Sequence, residues 1–214
     1  MILFDGTSWA KGNDLENRIR DRWSTLVSDH LESEHVNLAQ GGKCNDGILR
    51  TTIEYCENNK VDLAIIQFAP INRREILNPN EGLLNPDGNY YYRLNAINND
   101  KPSKSYFKYL NTLEDDVSNF YKNKFLLEFY FKTNNIRHYF VQLNRRNALG
   151  NGSKKPCSWQ LLSDAKPVTC LYDLIGHNKS ASPYYDYPIH GTHPNIEGHR
   201  KIADHIIENV NYEN

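Results

Sequence analysis

The chain opens on an apolar run, Ile2-Leu3-Phe4, that gives way to a turn at Gly6, the pattern of a short buried strand. Residues 14–31 then carry Leu15, Ile19, Trp23, Leu26, Val27 and Leu31 at spacings of mostly three to four, which predicts an amphipathic helix. A short strand is expected at 35–39, a glycine turn at Gly41-Gly42, and a helix over 45–58 with Ile48, Leu49, Ile53 and Cys56 on one face. The stretch from Val61 to Phe68 is almost wholly apolar, as a strand covered on both faces requires. The rhythm then breaks at 73–111, which holds Asn-Pro, Asn-Pro-Asp-Gly and three consecutive tyrosines and reads as a long turn-rich loop. A helix is predicted over 112–134, with Val117, Phe120, Tyr121, Phe125, Leu126 and Phe129 as its buried stripe, then a strand from Ile136 to Leu143. Residues 144–190 are again irregular, and a last helix over 195–210 buries Ile202, Ala203, Ile206 and Val210. Strands alternating with helices predict a parallel sheet sandwiched between helical layers.

At 214 residues the chain suits one domain, 1–214, with long insertions at 73–111 and 144–190. Its 25 basic and 26 acidic side chains are spread along the sequence, so no basic patch marks a nucleic-acid partner. No apolar stretch approaches membrane-spanning length, and Met1 leads directly into the first strand without a signal-peptide pattern. The expectation is synthesis in the cytoplasm without membrane attachment. Cys44, Cys56, Cys157 and Cys170 are too widely spaced for a zinc site; free thiols are expected, with a Cys157–Cys170 bridge as the alternative under oxidising conditions.

Ligands of open parallel sheets sit at the carboxyl ends of the strands. Three turns fall there: Gly6-Thr7-Ser8, Gly41-Gly42, and Gln67 to Asn72. A serine there becomes a nucleophile only if a base takes its proton and amides receive the oxyanion. His193, in a His-Pro-Asn turn just before the last helix, is the candidate base. Each residue also has an ordinary structural reading, as a helix cap, a solvated turn or a left-handed glycine. His190, His193, His199 and His205 invite a metal reading, but a spacing of six on a helix points the last two apart, and no metal is expected.

In this order the three blocks resemble the SGNH (GDSL) hydrolase family: Gly6-Thr7-Ser8 after the first strand, the glycine turn after Asn37-Leu-Ala-Gln, and His193-Pro-Asn-x-x-Gly-His before the last helix. The resemblance runs from residue 2 to about 207 and extends more weakly to phage- and marine-virus-like members through Arg73-Arg74-Glu75, which would allow release with a virus. It implies a flavodoxin-like three-layer α/β/α sandwich with a mainly parallel sheet. It also implies a serine esterase with Ser8 as nucleophile, His193 as base, and the Ser8 and Gly41 amides in the oxyanion hole, without a cofactor. Three positions depart from the family pattern. Gly-Asp-Ser reads Gly6-Thr7-Ser8; the Gly-x-Asn-Asp block is missing, with Asn72 or Gln67 as substitutes; and the acid three residues before the histidine is His190. Asp186 is the nearest carboxylate, and a backbone carbonyl is the other candidate support for His193. Arg73, Tyr184 and Tyr185 are the candidate substrate contacts, and the implied substrate is a small-molecule or carbohydrate ester such as an O-acetylated sugar. The rival reading is a catalytically impaired protein of the same fold that binds a glycan or a protein partner.

Overall fold

The first strand, β1 (Ile2–Asp5), is buried at every position, and its side chains alternate between two cores: Ile2 and Phe4 on one face, Leu3 on the other. In the computed structural model, which describes residues 1–77, 91–95, 100–143, 168–176 and 193–210, β1 lies second in a five-stranded sheet. The other strands are β2 (His35–Asn37), β3 (Leu63–Phe68), β6 (Arg137–Gln142) and β7 (Thr169–Cys170), in the order β2-β1-β3-β6-β7 with every pairing parallel. β3 repeats the alternation, with Leu63 and Ile65 on one face and Ala64, Ile66 and Phe68 on the other. Both faces therefore need helical cover.

On the first face α3 (Trp23–His30) packs against α8 (Ile196–Val210), so that Trp23 and Val27 meet Ile202, Ala203 and Ile206. On the second face α4 (Asn45–Asn58) and α6 (Leu113–Thr133) bring Ile48 together with Val117, Phe120, Leu127 and Phe131. The expected α/β/α layering with a parallel sheet is thus present. Among the described residues no helix is long and apolar enough to cross a membrane.

Several elements differ from the sequence reading. The helix expected over 14–31 is broken: α1 (Ser8–Lys11) ends in left-handed turns at Gly12 (φ 78°) and Asp14 (φ 68°), a single turn α2 (Arg18–Asp21) follows, and α3 begins only after the extended Arg22. Ile19, assigned to the buried stripe, is 69% exposed. On α6 the buried positions are 116, 117, 120, 123, 124, 127, 128 and 131, so Phe129 points to solvent while Lys124 and Glu128 pair with each other at 3.3 Å within the core-facing stripe. The 73–111 segment contains an antiparallel ribbon, β4 (Arg73–Leu77) with β5 (Tyr91–Asn95), and a helix, α5 (Lys101–Tyr109). Charged residues in β4 conceal its strand pattern, because Arg74 and Glu75 are matched by Asp116 and Arg50 rather than by apolar neighbours. Within 144–190, β7 leads into the turn α7 (Leu171–Leu174), whose Leu171 is fully buried. Cys44, Cys56 and Cys170 are free thiols, so Cys170 forms no bridge; Cys157 lies outside the described residues.

His199, on the inner face of α8, accepts a hydrogen bond at Nδ1 from the Trp23 backbone N–H at 3.2 Å, capping the start of α3. Burial, followed by the positive charge available to His193, pushes its pKa down to about 3 from an ordinary 6.5. The folded state therefore holds the neutral ring, and the unfolded chain binds the proton first. Stability is complete above pH 6.5 and declines as pH falls from there toward 3, with a slope of up to about 1.4 kcal/mol per pH unit from this group. In His199→Asn, whose side-chain oxygen can still accept from Trp23, urea unfolding measured between pH 7 and 4 should lose that part of the slope.

Candidate active site

The serine turn is built by close packing between β1 and β3. At Gly6 a Cβ would lie 2.8 Å from Gln67 Cβ and 3.0 Å from the Gln67 carbonyl oxygen, so no larger residue fits where the chain crosses β3. Gln67 then holds the turn with both ends of its buried amide: Nε2 donates to Thr7 Oγ1 at 2.8 Å, and Oε1 accepts from the Ala10 N–H at 3.0 Å. These bonds set Ser8 at the first position of α1, half-buried at the carboxyl edge of the sheet. They also engage both ends of the Gln67 amide, which braces the serine turn. Among the described residues the Ser8 hydroxyl makes no hydrogen bond.

The Gly41-Gly42 loop is tied to the same place by a buried ion pair. Asp5, with no exposed surface, accepts from Lys43 Nζ at 2.6 Å, from Thr51 and Thr52 at 2.6 and 3.1 Å, and from the Gly6 N–H at 2.6 Å. Lys43 also donates to the Leu38 carbonyl at 3.0 Å. The loop is a turn closed by Lys43 N–H to the Gln40 carbonyl at 3.3 Å, with Gly42 at φ 73°. A Cβ on Gly41 would stand 3.3 Å from Asn13 Nδ2, which brings the glycine turn against the loop that follows Ser8. Neither glycine N–H donates a hydrogen bond among the described residues, so both remain available to an incoming oxygen. Because Lys43 and Asp5 are fully desolvated, Lys43→Met strands a buried carboxylate. Urea unfolding should show a loss of about 3 kcal/mol, the low end of the range for breaking a buried pair, since three hydrogen bonds to Asp5 persist. A change below about 1 kcal/mol would contradict this role.

His193 comes from the far end of the chain. Asn195 accepts from the Gly198 N–H through its side chain at 3.0 Å and from the His199 N–H through its carbonyl at 2.9 Å, fixing the start of α8 two residues after the histidine. His193 Nδ1 meets Asp14 Oδ2 at 2.5 Å. The carboxylate is presented by the left-handed turn that ends α1, whose first peptide bonds fold back as Gly12 and Asn13 N–H to the Ser8 carbonyl, each at 3.0 Å. With Nδ1 bonded to Asp14, Nε2 is the ring nitrogen that base chemistry would use. Asp14 was not foreseen from the sequence, because the helical period of 14–31 places it inside a helix. The Gly12-Asn13-Asp14 run, rich in turn-forming residues, is the signal that points the other way.

Of the remaining candidates, Asn72 lies half-buried in the β3–β4 connection, and Arg73 begins β4. Asp186, His190, Tyr184 and Tyr185 lie outside the described residues. No cluster of metal-binding side chains occurs among the described residues. The thiols offer no rival nucleophile there: burial pushes Cys44 up to about 12 and Cys56 and Cys170 to about 11, so all three stay protonated at neutral pH.

No protein-family model and no curated protein matches the sequence. Solved structures do match over nearly its whole length. A psychrotrophic esterase, EstA, from a Pseudoalteromonas species shares 13% identity, with 99% of this chain and 97% of that chain covered and a TM-score of 0.59. A member of the lipolytic protein G-D-S-L family from Veillonella parvula shares 10% identity over 97% of this chain and 96% of its own, with a TM-score of 0.54. The fold is that of the G-D-S-L hydrolases. An acetyl xylan esterase, Est2A, from Butyrivibrio proteoclasticus has the same fold at 12% identity and a TM-score of 0.50, covering 99% of this chain and 63% of the longer enzyme. Within this G-D-S-L fold the serine turn, the glycine loop and the residues before the last helix occupy the carboxyl edge of the sheet, where strand ends and helix starts converge.

Proposed function

We propose that the chain is a serine esterase in which Ser8, His193 and Asp14 act as nucleophile, base and orienting acid. The Asp14–His193 contact carries this reading: a carboxylate on Nδ1 fixes the tautomer that leaves Nε2 able to take a proton, and it stabilises the imidazolium that results. Ser8 Oγ bonds to the ester carbonyl carbon as its proton passes to His193 Nε2. The Ser8 and Gly41 amides receive the oxyanion, with Asn72 as the side-chain donor. The tetrahedral intermediate collapses by breaking the bond to the alcohol, which leaves with the proton from His193. Water, deprotonated by the same nitrogen, then releases the acid and restores Ser8. Ser8 and His193 are not hydrogen-bonded to each other, and catalytic contacts of this kind commonly tighten only in the complex with substrate.

The acyl group is small, and an acetyl ester of a carbohydrate is the leading substrate, in line with the acetyl xylan esterase that shares the fold. Inhibition of the Pseudoalteromonas esterase by monoethylphosphonate makes phosphonates the natural probes of Ser8. The test is hydrolysis of 4-nitrophenyl acetate and of acetylated xylan. Turnover that vanishes in Ser8→Ala supports the reading, and turnover that persists in that variant rejects it.

A further inference from the structure

Arg73, at this edge of the sheet, forms no ion pair among the described residues. Its neighbours are paired: Lys43 with Asp5 at 2.6 Å, Arg74 with Asp116 at 3.1 Å, and Arg50 with Glu75 at 3.0 Å, while Arg93 bonds the Gln40 side chain at 2.5 Å. Arg73 has only a long contact from Nη1 to the Lys43 carbonyl, 3.4 Å, and its buried Nε has no partner. Burial pushes its pKa below the ordinary arginine value, and the nearby ionisable groups are Tyr172 and Cys44, both neutral at pH 7.

The position links this charge to the site. The Lys43 carbonyl belongs to the Gly41-Gly42 turn, and the Tyr172 ring packs at 5.0 Å against Trp9, the residue after Ser8. The guanidinium thus lies beside the glycine loop and near Tyr172, whose ring packs on the residue that follows Ser8. Leaving a buried charge without a counter-ion is costly, and the cost disappears when a ligand brings the opposite charge. A planar guanidinium with a free Nε edge suits a carboxylate or phosphate group, which it can take in a two-pronged contact.

We propose that Arg73 is an anion-recognition residue and that the preferred substrate is an ester carrying a negatively charged group, a carboxylate or a phosphate, beside the scissile bond. This rests on the esterase reading of the same site. Two measurements separate the claims. The first compares kcat/KM for mono(4-nitrophenyl) succinate, which is anionic, with that for its neutral methyl ester. The second follows binding of monomethyl succinate and neutral dimethyl succinate to Ser8→Ala by calorimetry, which needs no turnover.

The anionic ligand should be favoured about tenfold or more in both, the gain expected of one charge-assisted contact. Arg73→Met should erase that preference, and Arg73→Lys should keep part of it, with thermal melting confirming that both variants fold. Equal treatment of the two ligands by the unmodified site, no binding of either, or a preference that survives in Arg73→Met would each overturn the proposal. Anion-selective binding without hydrolysis would overturn the esterase reading and leave Arg73 as an anion site. Hydrolysis without anion preference would do the reverse.

Discussion

Replacing Ser8 or His193 with alanine should lower kcat/KM toward an activated ester by about 10⁵-fold in each case, and the double variant should be no worse than either single one. In the proposed mechanism the two side chains act on one proton: without the imidazole the hydroxyl is a poor nucleophile, and without the hydroxyl the base has nothing to activate. Their losses therefore overlap instead of multiplying. The remaining rate would come from binding and the oxyanion amides, which are backbone groups that neither substitution removes. Initial-rate assays on the two single variants and the double variant test this. A double variant far below both singles would mean that Ser8 and His193 serve separate roles.

Asp14→Asn should cost about 10²–10⁴-fold in kcat at neutral pH with little change in folding stability. The asparagine side chain can turn its NH₂ toward Nδ1, which stabilises the tautomer carrying its proton on Nε2, the wrong nitrogen for a base. Two features make the substitution clean. Position 14 adopts φ 68°, a left-handed conformation that asparagine tolerates as well as aspartate does. The Asp14 side chain is also 39% exposed, so removing its charge strands no buried partner. Solvent at that carboxylate places the expected loss below what a fully buried acid would give. Steady-state kinetics paired with thermal melting separate this from unfolding: unchanged kcat with an intact fold would remove Asp14 from the mechanism.

The sheet and its helical layers were legible because burial on both faces writes itself into the chain as apolar runs such as 61–68, and as a helical period such as that of 195–210. Those runs delimit β3 and α8 within about two residues. The candidate site was legible in part. Ser8, Gly41 and His193 sit in turns at strand and helix ends, and glycine and proline mark such turns in any sequence. Asp14 was hidden because a carboxylate facing solvent on a helix and one ending a left-handed turn look alike until Gly12 is known to take φ 78°. Gln67 and Lys43 were hidden for a different reason: their roles depend on partners 60 and 38 residues away, Thr7 and Asp5, and no local period records such pairings. The ribbon formed by β4 and β5 escaped notice because its register pairs charged residues whose partners lie on α4 and α6, so neither alternation nor hydrophobicity marks it.

The most direct test of the central claim is the intact mass of the protein after exposure to a fluorophosphonate, read beside Ser8→Ala, His193→Ala and Asp14→Asn. A single adduct that maps to Ser8, is absent in the first two variants and forms at least about tenfold more slowly in the third is the expected result. A folded protein that takes no adduct, or one that is labelled equally well when His193 is removed, would contradict an activated serine at this site.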